Sequence, residues 1–212
     1  MPDTVLVFAG GSAPAVPSLP PDALVVAADG GADHALALGL RVDVAVGDFD
    51  SITPAGLAAL ERAGTRTERH PSAKDATDLE LALDAAAALG PRRIVVVGGT
   101  EGRLDHLLGE LLILGSESYA SFELDALLGS ATVHVVRGER VLDGAPGELV
   151  SLLALHGPAA GVATDGLEYP LRGETLAPGS SRGISNVFAA PRARVTVERG
   201  VVLAVRPGLP AA

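Results

Sequence analysis

The chain has 212 residues, 48% hydrophobic and only 3% aromatic, with no cysteine and a formal net charge of −10. That is enough for one large domain or two small ones with a core of Ala, Val and Leu, and it excludes disulfides and thiolate zinc sites. The acidic balance argues against nucleic acid as a partner, because phosphate-backbone binding rests on clustered Lys and Arg.

No stretch approaches the roughly 20 apolar residues of a membrane span, so no membrane partner is expected. The opening MPDTVLVFAGG lacks the basic segment and long apolar run of a signal peptide, which makes the cytoplasm the expected compartment. Lysine occurs once, at Lys74, asparagine once, at Asn186, and glutamine not at all. Against so strong a bias, those two single residues are worth following.

The first half alternates between strand and helix patterns. Thr4–Phe8 and Ala23–Ala28 are short apolar runs, and Gly31–Gly39 is an Ala/Leu helix pattern. Asp43–Val46 is a third strand. Pro54–Ala63 has the composition of a helix, with Thr53 as N-cap and proline at its first position. Thr65–Glu68 reads as a short strand. Thr77-Asp78-Leu79-Glu80 fits a capping box that opens a helix to Leu89, and Gly90-Pro91 ends it. Arg93–Val97 is a fully apolar strand, and Leu104–Leu114 is a helix. Buried strands alternating with helices predict an α/β layer fold around a mainly parallel sheet, Rossmann-like in outline.

From Ala131 the pattern changes to short Val-rich runs broken by Gly, Pro and Asp: ATVHVV, ERVLDG, GELVSLLAL, GVATDGLEYPL, NVFAAP, ARVTVERG and VVLAVRPG. These predict an all-β antiparallel sandwich. The division expected is an α/β domain over residues 1–128 and a β-sandwich domain over residues 129–212. A helical segment, Glu117–Gly129, is expected to join them.

Three stretches carry chemistry. In VAVGDFDSI an apolar strand ends in Asp48 and Asp50, followed by Ser51. Open parallel sheets place their sites at such strand ends, and two carboxylates there can share a divalent cation such as Mg²⁺, which takes oxygen ligands and substrate phosphates. The alternative is a solvated strand exit with turn-forming Asp and Ser. In SAKDATDLE the one lysine precedes Asp75, Thr77 and Asp78, which adds two oxygen ligands and a cation able to meet phosphate. The competing explanation is a helix start with acidic residues favoured by the macrodipole.

In VVVGGTEGRLDHLL a buried strand opens into Gly98, Gly99 and Gly102, with Arg103, Asp105 and His106 at the start of the next helix. Bare backbone N–H groups and a helix N-terminus form an anion site, and a guanidinium grips phosphate bidentately. His106, beside two leucines, is equally readable as a packed or capping residue. Carboxylates alone would repel a polyphosphate; a bound Mg²⁺ reverses the sign of the site.

With these motifs in order, the chain resembles the thiamine pyrophosphokinase family. The matching elements are ADGGA at 28–32, GDFDS at 47–51, KDATD at 74–78, GRLDH at 102–106, TDGLEYPL at 164–171 and GISNVF at 183–188, which holds the single asparagine. The resemblance covers most of the chain. It implies a homodimer with thiamine between the α/β domain of one subunit and the sandwich of the other. It also implies one-step transfer of pyrophosphate from ATP to the thiamine hydroxyl.

By motif position, Asp48, Asp50 and Asp78 would hold Mg²⁺, with Asp75 a ligand or a group just behind the ligands. Lys74 and Arg103 would face the phosphates. Asp29 and Asp105 would position the hydroxyl or metal-bound waters. Gly30, Ser51, Thr77, Gly98, Gly99, Gly102 and His106 would belong to the ATP side. Tyr169 would cover the thiamine ring, and Ser185 and Asn186 would hydrogen-bond its aminopyrimidine. One departure is the apolar helix LLGELLIL at 107–114, polar only at Glu110, where the family resemblance implies a polar, amide-bearing helix.

Three other readings remain open on the residues alone. A pyrophosphokinase could act on another alcohol such as a hydroxymethylpterin. A haloacid-dehalogenase-like phosphatase could use the first Asp of DxD as nucleophile. A non-catalytic nucleotide or thiamine sensor could retain the same fold.

Overall fold

The computed structural model describes residues 3–14 and 19–208. The chain forms two compact units. One runs through Glu110 and takes up Phe122–Gly129; the other comprises Leu111–Ser121 and the chain from Ser130 onward.

The first unit is built on six parallel strands: β1 (Thr4–Phe8), β2 (Leu24–Ala28), β3 (Val44–Gly47), β4 (Arg66–Arg69), β5 (Arg93–Gly98) and β6 (Glu123–Leu128). Their spatial order is β4-β3-β2-β1-β5-β6. The chain steps outward from β1 to β4, then returns to the far side of β1 as β5. The loops after β1 and β5 therefore diverge at a switch point, where open α/β sheets leave a crevice for ligands. The register pairs Phe8 with both Ala27 and Val97, and Ala28 with Val46, so the carboxyl ends of the central strands are nearly flush.

The faces of the sheet follow the strand alternation. Leu6, Phe8, Val25, Ala27, Ala45, Val95 and Val97 share one core with Ala32 and Ala35 of α1 (Gly31–Ala37) and Leu60 of α2 (Pro54–Ala63). The intervening residues, Val5, Val7, Val26, Val44, Val46, Ile94 and Val96, are buried on the opposite face, where α3 (Asp78–Ala88) packs with Leu79, Ala82, Leu83 and Ala86. Both helix N-termini are capped as their sequences predict: Thr53 Oγ1 accepts from Gly56 N and Thr77 Oγ1 from Glu80 N. A fourth helix, α4 (Leu104–Leu114), follows β5.

The expected helix over 117–129 is corrected. Only Glu117–Tyr119 forms a short 3-10 turn, and Glu123–Leu128 is strand β6. The strand alternation there is masked by Asp125, which is 1% exposed. The Arg93 guanidinium from β5 neutralises it, with Nε 2.9 Å from Asp125 Oδ2.

The second unit is antiparallel. The short runs expected from the sequence merge into three long strands, β7 (Ala131–Asp143), β8 (Leu149–Asp165) and β11 (Arg192–Arg206). Two short ones, β9 (Arg172–Leu176) and β10 (Asn186–Val187), add to β8. What reads as turn signals are bends within continuous strands. At Gly200, with φ +90°, the β11 register slips against both neighbours, and a Cβ would meet the Pro158 carbonyl at 2.8 Å. Bending lets residues from both halves of each long strand, such as Leu152 and Val162 of β8 or Val195 and Val202 of β11, join one core around Phe188.

Candidate active site

The site of the α/β unit is built where β2, β3 and α3 present their ends. Asp29 follows β2 directly, with φ +44°, and its N–H donates to the Val46 carbonyl at 2.8 Å. It is 5% exposed. Its Oδ2 accepts from Ser51 N at 3.4 Å, and its Oδ1 is buried with no hydrogen-bond partner. Ser51 Oγ accepts in turn from Gly30 N at 3.2 Å. Asp33 holds the other end of the same loop, accepting from both Thr53 N and Thr53 Oγ1, at 2.7 and 2.8 Å.

Asp48 follows Gly47, the last residue of β3. Phe49 then takes a left-handed conformation, φ +63°, and buries its ring in the sheet core. This break in the extended backbone separates Asp48 from Asp50. Asp48 is half-buried, while Asp50 is exposed and contributes its backbone N–H to Asp48 Oδ1 at 3.2 Å.

Asp78 opens α3, and the approach depends on Gly47. A Cβ there would lie 3.1 Å from both Asp29 Cβ and Asp78 Oδ1. Carboxylate oxygens of Asp29, Asp48 and Asp78 all lie within 4.8 Å of one another. Lys74 Nζ is 2.8 Å from Asp78 Oδ1 and 4.0 Å from Asp48 Oδ2.

The electrostatics match this geometry. Burial pushes the Asp29 carboxyl up, the charges of Asp78 and Asp50 push it the same way, and the Ser51 hydrogen bonds oppose them. The Ser72 hydroxyl chiefly lowers Asp48, helped by the Asp50 N–H and the charge of Lys74. The Asp78 carboxylate raises Lys74. All three acidic donors are hard oxygens. Two of them, Asp29 Oδ1 and Asp78 Oδ1, are buried without a hydrogen bond, and only Asp78 Oδ1 faces the Lys74 ammonium; such an arrangement is costly unless a partner completes it. A hard divalent cation fits that donor set.

Of the expected ligand set, the structure brings Asp48 and Asp78 together and adds Asp29. Asp50 stays outside because Phe49 turns the chain between the two residues. Asp75 is exposed and also lies outside the cluster. Thr77 spends its hydroxyl on capping α3. Gly98 and Gly99 lead from β5 to the switch point, where Glu101 N donates to Ser12 Oγ at 3.1 Å. Gly102, at φ +114°, precedes Arg103, whose guanidinium pairs with Asp105 at 2.6 and 3.2 Å. That pairing holds the Asp105 carboxyl down at about 2. Arg103, Asp105 and His106 are all exposed.

In the antiparallel unit Tyr169 is 58% exposed. Asn186 is buried, and its amide is spent on the backbone. Oδ1 accepts from Tyr169 N at 3.1 Å and Val187 N at 2.9 Å, while Nδ2 donates to the Tyr169 carbonyl at 2.8 Å. Asn186 therefore fixes Tyr169 rather than presenting a free amide edge. Ser185, at φ +56°, is exposed, and its N–H donates to Ser151 Oγ at 3.1 Å.

The sequence matches the family model for the thiamin pyrophosphokinase catalytic domain over residues 19–124, and that for the thiamin pyrophosphokinase vitamin B1 binding domain over residues 131–202. The chain belongs to the thiamin pyrophosphokinase family. It is 27% identical over 209 residues to the thiamine pyrophosphokinase of Bacillus subtilis, covering 96% of this chain and 98% of that one. The crystal structure of a Bacillus subtilis thiamine pyrophosphokinase superposes with a TM-score of 0.85 at 26% identity, covering 97% of this chain and 99% of that one. That from Geobacillus thermodenitrificans gives 0.81 at 26%, covering 98% and 99%. The Candida albicans enzyme, at 17% identity and a TM-score of 0.71, covers 95% of this chain and 89% of that one and shares the fold.

Membership makes this chain a transferase of the thiamine diphosphokinase type, and among the described residues no helix is long and apolar enough to cross a membrane. Three polar residues of this family member escape the sequence reading. Ser12 follows the Gly10-Gly11 pair at the end of β1, the same strand-then-glycines signal that marks Gly98-Gly99. Ser72 and Asp33 carry no such signal, because their roles depend on contacts across the loops.

Proposed function

We propose that this chain transfers the β,γ-pyrophosphoryl group of ATP to the hydroxyl of thiamine, with Mg²⁺ held by Asp29, Asp48 and Asp78. The observation that carries this is the convergence of three carboxylates around a buried, unpartnered Asp29 oxygen. The thiamine oxygen forms a bond to Pβ, the bridging Pα–O–Pβ bond breaks, and AMP leaves with the displaced oxygen. The hydroxyl proton is released as thiamine diphosphate forms. Bound at the three carboxylates, Mg²⁺ would neutralise phosphate charge and orient the polyphosphate.

The chain's own residues supply the rest. Lys74 and Arg103 face the transferring phosphates, Arg103 exchanging Asp105 for them. The loops after β1 and β5 offer backbone N–H groups to the nucleotide. Asp50, next to the cluster, orders solvent around it. Tyr169 presents a ring face suited to a cationic thiazolium, held in place through its backbone by Asn186, and the exposed Ser185 would hydrogen-bond the aminopyrimidine. The protein would work as a cytoplasmic homodimer on these two small molecules, without nucleic acid or membrane.

Purified protein mixed with Mg·ATP and thiamine should yield AMP and thiamine diphosphate in equal amounts. Asp48→Asn should lower that rate by about 10²–10³-fold. If AMP release does not depend on thiamine, the acceptor is wrong. Light scattering that gives a monomer would remove the dimer.

A further inference from the structure

The three carboxylates have a cation already. Lys74 lies in the segment between β4 and α3, and its i,i+4 pairing with Asp78 brings its ammonium over the cluster. The side chain is only 15% exposed, whereas that of Arg103, the other group expected to meet phosphate, is 68% exposed and paired away from the cluster. Lys74 Nζ touches Asp78 Oδ1 and stands 4.0 Å from Asp48 Oδ2. It thus contacts one of the three residues that a divalent ion would use and lies within ion-pair range of a second.

We propose that Lys74 is a built-in counter-ion that occupies the divalent-cation site until a nucleotide arrives, so that metal and nucleotide enter together. This rests on the site being a Mg·ATP site, as proposed above. An ammonium and a divalent ion cannot share the same carboxylate oxygens, because like charges at such range repel. Lys74 has to leave for the metal to bind. Metal alone gives it nowhere to go but water. A polyphosphate brought with the metal offers a new anion a few ångströms away, which the flexible lysine stem reaches by rotamer change alone. Metal binding and nucleotide binding are therefore coupled through this one side chain, and the coupling is reciprocal. The same device suppresses capture of stray divalent ions by the empty site.

The test is titration of Mn²⁺ into the full chain, followed by electron paramagnetic resonance, with and without the non-hydrolysable α,β-methylene analogue of ATP. Wild-type protein should bind Mn²⁺ alone weakly and at least about tenfold more tightly with the analogue. Lys74→Met should tighten binding of Mn²⁺ alone by about tenfold and shrink the effect of the analogue. Lys74→Arg, which keeps the charge, should bind Mn²⁺ alone as weakly as wild type.

Arg69→Met is the control for charge alone, since Arg69 contacts the Asp48 backbone carbonyl at 3.5 Å without occupying a carboxylate; it should change Mn²⁺ affinity much less than Lys74→Met. The proposal is overturned if Lys74→Met binds Mn²⁺ no more tightly than wild type, or if Arg69→Met does as much. Asp78→Asn separates the two levels. If it leaves Mn²⁺ binding intact, the metal site itself is misplaced and this proposal falls with it. If it abolishes binding while Lys74→Met changes nothing, only the role of Lys74 is lost. Circular dichroism melts of each variant without metal establish that it is folded.

Discussion

The acidic cluster of the α/β unit and the Tyr169–Asn186 corner of the antiparallel unit solve opposite problems. Around Asn186 nearly every polar group is spent: one buried amide answers three backbone groups and leaves only an aromatic face exposed. Around Asp29 the polar groups are underpaired: its buried Oδ1 lacks a partner, and the one ammonium nearby pairs with Asp78 and lies 4.0 Å from Asp48. A fully satisfied corner is a rigid shelf that holds its exposed ring in one place. An unsatisfied cluster is a site that gains stability only when something cationic completes it.

The sharpest way to break that contrast is Asp29→Asn. Activity should fall by about 10²–10³-fold, yet the metal-free protein should melt higher than wild type at neutral pH. Burial holds the Asp29 carboxyl above its ordinary value of 3.8, so the folded state prefers the protonated acid. That preference is fully present below the ordinary value and is lost as pH rises through the raised one. Asparagine mimics the neutral form, so the gap in melting temperature should close as pH drops below about 4. A variant that melts lower than wild type at neutral pH would mean the carboxylate is already well paired.

Asn186→Ala should act in the reverse sense. It leaves part-buried backbone groups of Tyr169 and Val187 without their partner, which costs about 1–3 kcal/mol in urea unfolding. An unchanged midpoint would show that this corner is not the rigid shelf described. The smallest effect is expected from Tyr169→Ala. Its ring is mostly exposed, so stability should move by less than about 0.5 kcal/mol. The KM for thiamine should rise about tenfold with kcat nearly kept; a change confined to kcat would place the ring elsewhere in the reaction.

Local rules are legible in this sequence wherever the chain answers to its neighbours. Thr53-Pro54 and Thr77-Asp78 mark helix starts that the structure keeps to the residue, and the Gly-rich exit of β5 lies at the switch point. Contacts between distant segments were not legible. Asp125 disguises β6 because its partner, Arg93, lies on another strand. Phe49 turns the chain between Asp48 and Asp50 by adopting a backbone that Phe rarely takes, so their one-residue spacing does not tell which of them joins Asp29 and Asp78. Asn186 stands out by its rarity, but only the fold reveals that it serves the Tyr169 backbone. The long strands look like short ones in the sequence because a glycine that bends a strand and a glycine that ends one are alike there.

The position of β11 has a consequence for how the molecule is made. Among the described residues β11 comes last in sequence, yet it lies between β7 and β8, pairing with both along most of its length. A growing polypeptide can complete the parallel sheet early, but β7 and β8 must wait, with open edges, for residues 192–206 to emerge. Domains generally form in the order they are synthesised, and unpaired edges invite wrong partners. A chain that stops short of residue 192 would leave β7 and β8 without the strand they share.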